Sequence, residues 1–458
     1  MGGGLMQLVA YGAQDIYLTG NPQITFFKSM YRRYTNFAIE CIEQTFNGAA
    51  DWGRKVTCAI SRNGDLINRM YLRVLLPDVK VPKGHAFRWL DWIGHILIKS
   101  VEIEIGGQRI DRHFGDWLHI WNELTQTSGH SLGYANMVGN TAELTSITTT
   151  DTTASDLSVK KGDVLYIPLQ FWFCKSISMS LPLIALQYHE CKVNIDLREA
   201  RECYWYAKVK GTNSTTGAVE YGPADEPIVI PSLTSSLYVD YIYLDTDERK
   251  RFAQTSHEYL IDQLQFTGDE STSQTNNKLK LNFNHPVKSL FWVVQPDDHV
   301  MDPPVDSSTG KFTKYKLGRQ WFNYTDAEDT PFDAMTVDTV AGAVAAGGNQ
   351  RTYIEVFSGG RNPTREARLQ LNGHDRMDTR DSKYWNCVQP YQYFENVPSK
   401  GINIYSFAVK PADAQPSGTC NFSRIDNAIL NLTLTEDAVK NNRSCKPQGR
   451  LHLCGLQH

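Results

Sequence analysis

Few residues of this 458-residue chain stand at spacings that would let them share a chemical task. His113 and His119 flank Asp116, but side chains six positions apart do not share a helical face, and no third metal ligand accompanies them. Residues 297–299, Asp-Asp-His, lie in a stretch with loop composition, where solvated carboxylates are a simpler interpretation than catalysis. The sequence therefore predicts no catalytic residue, no metal site and no cofactor.

The sequence lacks the common motifs that bind phosphate or activate a nucleophile, namely the phosphate-binding loop, G-x-S-x-G and H-E-x-x-H. Gly106-Gly107 has the small residues of a phosphate loop. A hairpin turn is the better interpretation, because no helix pattern follows it directly. Nine cysteines, an odd number without any Cys-x-x-Cys pair, predict reduced thiols rather than disulfides or a zinc site.

Asparagine glycosylation is the one modification for which the sequence offers acceptors. Asn-x-Ser/Thr triplets begin at Asn213, Asn323, Asn421, Asn431 and Asn442. Asn431 alternates with leucines that a strand would bury. Asn213 and Asn323 lie in loop-like segments, so these two are the predicted glycosylation candidates.

Composition is that of a globular protein with two or three domains, with 41% hydrophobic residues. The 46 basic residues are balanced by 50 acidic ones, which excludes a strongly basic surface. Arg32-Arg33 and Lys250-Arg251 are isolated pairs, so direct nucleic-acid binding is not expected. No apolar run reaches the roughly 20 residues of a membrane-spanning helix, and the first residues lack the pattern of a signal peptide.

Period-two alternation of apolar and polar residues predicts a chain built mainly from β-strands. The alternation recurs at residues 101–105, 193–197, 279–283 and 430–434, as expected for strands with one buried face. One helix is predicted over Trp117–Leu124, where apolar side chains recur at i, i+3, i+4 and i+7. We expect this helix to cover the end of a β-sandwich.

Two kinds of segment recur in the same order in both halves of the chain. VEIEIGGQRID at 101–111 resembles LQLNGHDRMD at 369–378, each with an apolar strand and a glycine-containing hairpin turn. LPLIALQYHECKVNIDL at 181–197 resembles PSGTCNFSRIDNAILNLTL at 416–434. These pairs predict two copies of one β-fold, each of roughly 200 residues.

Composition along the chain predicts five segments. Residues 1–25 form an N-terminal arm and residues 26–206 the first copy of the fold. Residues 207–235 are rich in Gly, Ser, Thr and Pro, as expected for a linker to the second copy at 236–440. Residues 441–458 are basic, contain cysteine and look unlike a strand, so an atypical C-terminal tail is expected.

Sequence blocks in both halves are similar to those of one viral family. They include QLVAYGAQDIYLTGNPQITFFKSMYRRYTNFA (7–38), ISRNGDLI (60–67), LPLIALQYHE (181–190), VDYIYLDTDERKRFAQTSHEYLIDQLQFTG (239–268), LNFNHPVKSLFW (281–292) and YSFAVKPADAQPSGTCNFSRIDNAILNLTL (405–434). With these blocks the chain resembles the major capsid proteins of nucleocytoplasmic large DNA viruses, most closely those of the algal-virus branch.

The resemblance implies an all-β chain of two consecutive eight-stranded jelly rolls with a short loop helix. It implies a homotrimer, which forms a pseudo-hexagonal capsomer that tiles an icosahedral shell with its neighbours. Loops at 125–163 and 296–350 would face outward. The N-terminal arm would face inward, toward minor capsid proteins and an inner viral membrane. The implied location is the virion, with assembly in the host cytoplasm and no enzymatic role.

Two other functions stay open. A carbohydrate-binding jelly-roll module would use exposed aromatic side chains, for which residues 204–206, Tyr-Trp-Tyr, are the candidates. A β-sandwich hydrolase would need paired carboxylates, and the sequence contains many acidic residues without showing which of them are paired. The resemblance favours the structural role over both, because it covers both halves of the chain.

Overall fold

The computed structural model describes residues 3–153, 156–212, 219–272, 274–302, 305, 307, 310–311, 318–326, 360–440 and 449–457. Its strands are, in chain order, β1 (Phe37–Gln44), β2 (Lys55–Ala59), β3 (Leu66–Leu75), β4 (Val79–Val81), β5 (His85–Trp89), β6 (Ile98–Ile105), β7 (Gln108–Phe114), β8 (Thr148–Thr149), β9 (Ser158–Lys160), β10 (Val164–Pro168), β11 (Leu181–Pro182), β12 (Cys191–Leu197), β13 (Tyr204–Thr212), β14 (Val219–Gly222), β15 (Thr234–Leu244), β16 (Gln263–Thr272), β17 (Asn276–Lys280), β18 (Pro286–Gln295), β19 (Thr364–Leu371), β20 (His374–Asp375), β21 (Arg380–Asp381), β22 (Asn403–Ser406), β23 (Cys420–Asn421), β24 (Ala428–Leu434) and β25 (Gly449–Gln457). Its α-helices are α1 (Gly3–Val9), α2 (Ile16–Thr19), α3 (Ile93–Leu97), α4 (Gly115–Thr125), α5 (Ser131–Val138), α6 (Ala142–Thr145), α7 (Trp172–Lys175), α8 (Thr246–Gln254), α9 (Asp297–Val300), α10 (Gln389–Tyr393) and α11 (Glu436–Lys440). None of the described helices has the length and apolar character needed to span a membrane.

The first sandwich consists of two antiparallel sheets, with strand orders β1-β15-β3-β10 and β2-β12-β6-β7. Alternation places one face of each strand in the core. In β12, for example, Cys191, Val193, Ile195 and Leu197 are buried, and the residues between them are half-buried. Chain order alternates between the sheets as in a jelly roll, where eight strands form two packed sheets.

The second sandwich repeats this order. Its sheets run β16-β25-β18-β22 and β17-β24-β19-β20, with β21 also paired to β19. The predicted alternation at 430–434 is confirmed, since Leu430, Leu432 and Leu434 of β24 are buried and the residues between them are half-buried. Two consecutive jelly rolls are therefore confirmed as the fold.

The predicted internal duplication is confirmed at the level of strand pairing. The hairpins after β6 and β19 both turn through two residues with positive φ, Gly106-Gly107 and Asn372-Gly373, as a type I′ turn requires. The short strands β11 and β23 pair with β3 and β18, which hold the same place in their sheets. The two halves of the chain therefore match strand by strand.

The predicted linker at 207–235 was wrong. Residues 204–212 and 219–222 form β13 and β14, which pair with each other. Strand β15 then lies in the middle of the first sandwich, between β1 and β3, so the second sandwich does not begin at residue 236. It begins at β16. Loops that cap a sandwich share the Gly, Ser, Thr and Pro content of linkers, so composition alone could not separate the two.

The expectation of an atypical tail at 441–458 was also wrong. Residues 449–457 form β25, which pairs with β16 on one side and with β18 on the other. Leu451 and Leu453 alternate with Arg450 and His452, a strand pattern that the basic composition of the segment obscured. Strand β25 therefore supplies the eighth strand of the second jelly roll.

The N-terminal arm is longer than predicted, because the first strand begins at Phe37 and not near residue 26. Helices α1 and α2 bury no residue, and nearly every described residue before Phe37 is exposed. The large apolar side chains exposed there are Leu5, Met6, Leu8, Val9, Tyr11, Ile16, Tyr17, Leu18, Ile24, Phe26, Phe27, Met30, Tyr31 and Tyr34. The arm thus lies outside both cores.

Three loops of the first sandwich fold together at the end opposite to Phe37, where the arm joins β1. The loop after β3 supplies β4 and β5, the loop after β7 supplies β8 and β9, and the loop after β12 supplies β13 and β14. They form the sheet β14-β13-β5-β8 and the pair β4-β9. The predicted loop at 125–163 is therefore largely ordered in this loop layer. Much of the predicted loop at 296–350 lies outside the described residues.

Strand β25 yields a testable prediction. Substituting Leu451→Pro removes a backbone donor from a strand that is paired on both sides, at positions facing Glu270 and Val294. A buried carbonyl left without its donor costs about 1–3 kcal/mol. We expect a lower midpoint for urea unfolding followed by tryptophan fluorescence.

The control for this substitution is Val229→Pro, at an exposed position outside any strand. The control should leave the midpoint unchanged. Equal midpoints for Leu451→Pro and the unsubstituted chain would show that β25 is not needed in the sheet.

Candidate assembly interface

The two sandwiches meet through helix α4. Its residues Trp117, Ile120, Trp121 and Leu124 are buried on one side of the helix. They form one apolar cluster with residues from the other half of the chain, namely Phe291, Val293, Tyr324, Phe394, Ile402 and Ile404. The helix was predicted correctly, but it joins the two sandwiches instead of covering the end of one.

Aromatic packing dominates the centre of this junction. The ring of Trp117 meets that of Phe291 edge to face, with 5.2 Å between centroids. The Nζ of Lys175 lies 4.3 Å from the ring centroid of Trp121, in cation–π geometry. A tryptophan side chain buries 150–250 Å² of surface, so two of them on one helix bind the sandwiches firmly.

Two hydrogen bonds between side chains and the backbone fix the position of strand β7 relative to strand β16. The backbone N–H of Leu264 donates to Oδ1 of Asp111 over 3.1 Å. The side-chain amide of Gln263 donates to the carbonyl of Ile110 over 2.7 Å. The junction is therefore heterologous: the β7 and α4 side of one sandwich contacts the β16 and β18 side of the other.

A group of buried ionisable side chains lies at the edge of the junction. The rings of His95 and His119 have centroids 5.8 Å apart, and Nε2 of His95 lies 2.7 Å from the hydroxyl of Tyr134. Burial lowers the pKa of His95 to about 3 and that of His119 well below its ordinary value. Burial also raises the pKa of Glu123, whose carboxylate accepts the backbone N–H of Ser399. Both histidines are therefore neutral in the folded chain.

The candidate metal and catalytic residues do not come together. His113 stacks on Phe171 and His119 on Phe322, with centroids 5.0 and 4.3 Å apart. Residues 297–299 begin helix α9, where Nδ1 of His299 lies 3.0 Å from the carbonyl of Asn323. Within the described parts of the chain, no group of three or more His, Cys, Asp or Glu side chains is placed to hold a metal ion.

The aromatic run at 204–206 does not form an exposed platform for a sugar. Trp205 is buried in the first core and contacts Tyr221 edge to face. Tyr204 and Tyr206 are half-buried against the same core, and Tyr206 stacks on His85. The carbohydrate-binding alternative therefore loses the residues that the sequence offered for it.

The two glycosylation candidates have different outcomes. Asn213 lies outside the described residues. Asn323 is only 7% exposed, its side-chain amide donates to Oε1 of Gln320, and its side-chain oxygen accepts from Thr325. A glycan on Asn323 of the folded chain would require these hydrogen bonds to break. Glycosylation stays a prediction, with Asn213 the better candidate.

One surface was not predicted from the sequence, namely the outer face of the sheet β1-β15-β3-β10. Tyr71, Arg73, Tyr166 and Tyr238 project from it and are partly exposed, and the rings of Tyr166 and Tyr238 are 6.1 Å apart. The signal was present in β3, where Tyr71 and Arg73 alternate with buried Leu72 and other core residues. A half-exposed aromatic sheet face is a candidate contact surface.

Two family profiles together cover nearly the whole chain. "Major capsid protein N-terminus" matches residues 25–245, and "Large eukaryotic DNA virus major capsid protein" matches residues 248–451. The chain belongs to the major capsid proteins of large eukaryotic DNA viruses. The boundary between the two matches follows β15, in agreement with the strand pairing of this major capsid protein.

Individual relatives agree with this family. The major capsid protein of Phaeocystis pouchetii virus is 47% identical, over 97% of this chain and 95% of the relative. That of Pyramimonas orientalis virus is 48% identical, over 96% and 94%. A quasi-atomic structure of the PBCV-1 virus capsid is 35% identical, covers 94% of this chain and 96% of its own, and superposes with a TM-score of 0.65. The double jelly roll and the role of a structural subunit of the capsid are therefore established for this chain.

The buried histidines predict that acid destabilises the junction. A histidine with a lowered pKa stays neutral when folded, whereas the unfolded chain takes up a proton below about pH 6.5. Stability is therefore lost as the pH falls from 7 to 5, by about 2 kcal/mol for each such histidine. The raised pKa of Glu123 offsets part of this loss, because its folded form takes up a proton first.

Urea unfolding of His119→Gln at pH 7 and pH 5 tests this expectation. We expect the variant to lose less stability between the two pH values than the unsubstituted chain, by about 2 kcal/mol. The control is His374→Gln, at an exposed position on β20, which should lose as much as the unsubstituted chain. The same pH dependence in all three chains would contradict the prediction.

Proposed function

We propose that this major capsid protein assembles as a homotrimer whose six jelly rolls surround one axis as a pseudo-hexagonal capsomer. The observation that carries the proposal is the heterologous junction inside the chain. One side of the first sandwich contacts the opposite side of the second through α4 and Asp111. Each sandwich also has a side that faces away from this junction. Within the described residues, no further sandwich of the same chain covers these two outer sides.

A heterologous contact can be repeated until it closes on itself. Three copies supply six sandwiches with the same strand order, so one ring alternates contacts within chains and contacts between chains. Hexagonal units of this kind can cover a shell together with neighbouring capsomers. The loop layer at one end and the arm at the other give each capsomer two different surfaces.

The loop layer faces outward in this proposal, and the N-terminal arm faces inward. The arm exposes Ile24, Phe26, Phe27 and Met30, side chains that are seldom left in water by a protein acting alone. Its basic pair Arg32-Arg33 adds positive charge. These features suit contact with minor capsid proteins and with the inner viral membrane.

Catalysis and direct nucleic-acid binding have no part in the proposed function, which resides in complementary protein surfaces. Assembly takes place in the host cytoplasm, a reducing compartment that suits unpaired cysteines. The cysteines that the structure describes with their side chains, from Cys41 to Cys420, are all free thiols.

Light scattering of the purified, folded chain tests the trimer. The expected mass is three times the 51.9 kDa of one chain. The same mass at several protein concentrations would show a closed ring, because an open heterologous contact gives masses that rise with concentration. A stable monomer would contradict the proposal.

Deleting residues 1–36 tests the inward arm. The truncated chain is expected to keep its trimeric mass, because these residues are absent from both cores. Its co-sedimentation with vesicles that contain phosphatidylserine should fall at least tenfold, since apolar and basic side chains are lost together.

The control for the deletion is Lys250→Ala with Arg251→Ala, which removes basic charge from α8 but keeps the arm. This variant should bind vesicles like the full chain. Equal binding by the truncated chain would rule out the arm as the membrane contact.

A further inference from the structure

The duplicated fold allows the contact between chains to be assigned to residues, if the trimer proposed above is correct. In the first sandwich, Phe114 is paired with Ser100, five residues before the end of β6 at Ile105. In the second, Asp381 is paired with Glu366, five residues before the end of β19 at Leu371. Phe114 and Asp381 are therefore counterparts, and each is followed directly by the helix of its sandwich.

Counting on from these positions gives the counterpart of the buried face of α4. Trp117, Ile120, Trp121 and Leu124 lie three, six, seven and ten residues after Phe114. The residues at the same distances after Asp381 are Tyr384, Cys387, Val388 and Tyr391. These four residues lie on the π-helical turn at 384–388 and on α10.

The counterpart face is largely exposed. Tyr391 is 81% exposed and Val388 is 39% exposed, and Cys387 is an exposed thiol. Tyr384 alone is half-buried, against the ring of Trp385. A helical face that is buried between the sandwiches in one half of the chain is therefore left open in the other.

The surface that receives α4 also has a counterpart. The pairings of β11 and β23 make Ile67 and Val287 equivalent positions in their sheets. Four and six residues further on lie Tyr71 and Arg73 in the first sandwich, and Phe291 and Val293 in the second. Phe291 and Val293 are buried under α4, whereas Tyr71 and Arg73 are partly exposed on the outer sheet face.

The aspartate of the junction is repeated as well. Asp111 lies two residues before His113, which is paired with Val101. Asp378 lies two residues before Arg380, which is paired with Ala367. Val101 and Ala367 stand four residues before the ends of β6 and β19, so the two aspartates are counterparts. Asp378 is exposed, whereas Asp111 is buried and binds the backbone at the start of β16.

We propose that Cys387, Val388 and Tyr391 of one copy pack on the outer sheet face of a second copy, formed by Tyr71, Arg73, Tyr166 and Tyr238. Asp378 then accepts a backbone N–H at the start of β1 of that second copy, as Asp111 does at β16. The partner on this face is another copy of the chain. At the internal junction, the equivalent sheet face around Phe291 and Val293 is already covered by a helix of the chain itself.

Paired substitutions on the helical face test this inference. Val388→Ser with Tyr391→Ser should lower the mass found by light scattering from three chains to one at micromolar concentration. The matched control is Val229→Ser with Tyr188→Ser, the same residue types at positions 81% and 94% exposed elsewhere on the chain. The control should remain a trimer, and thermal unfolding should show that both variants are folded.

Mixing two variants, one altered in each face, tests whether the helical face of one copy binds the sheet face of another. A receiving-face variant, Tyr166→Ser with Tyr238→Ser, should also be monomeric. Mixed with the helical-face variant, it should give a species of two chains, because one intact helical face then meets one intact receiving face.

A trimer that survives the helical-face substitutions would overturn the assigned surface and leave the trimer standing. The same conclusion follows if the control dissociates equally. An unsubstituted chain that is monomeric would overturn both proposals.

Discussion

The aromatic face of α4 is the constraint on which the rest of the structure depends. Its two tryptophans and two aliphatic side chains are buried in one cluster with residues of the second sandwich. Without that contact, the first sandwich would expose a large apolar surface beside its β7 edge. Burial of this face fixes one sandwich against the other, and Asp111 fixes the register of the two edges. The chain therefore presents its outer surfaces as one unit.

The internal junction and its exposed counterparts have the same arrangement of strands and helix but different kinds of side chain. The internal junction is formed by Trp, Ile, Leu, Phe and Val side chains. This strongly apolar composition is typical of contacts that stay permanently closed. The exposed counterparts use Tyr, Val, Cys and Arg, which combine apolar contact area with groups that water can solvate. A surface that is exposed to water before assembly requires this compromise, because a fully apolar face would associate without specificity.

Much of this architecture could be predicted from the sequence. Period-two alternation identified strands such as β12 and β24, and the spacing of Trp117 to Leu124 identified α4. The hairpins at Gly106-Gly107 and Asn372-Gly373 showed the duplication. Local patterns could not show which strand lies beside which, so β15 was assigned to the wrong half and β25 to a tail. The junction also escaped prediction, since Asp111 meets Leu264 only through the tertiary fold.

The position of the last strand in each sandwich has a consequence for synthesis on the ribosome. Strand β15 lies between β1 and β3, and β25 lies between β16 and β18, although each is translated after the strands it separates. The first sheet can close while the second half is still being made, whereas the second must wait for residues 449–457. Until then, the edges of β16 and β18 are open to pairing with other nascent chains. Synthesis of residues 449–457 is therefore needed before the second sandwich can present a closed sheet to other copies of the chain.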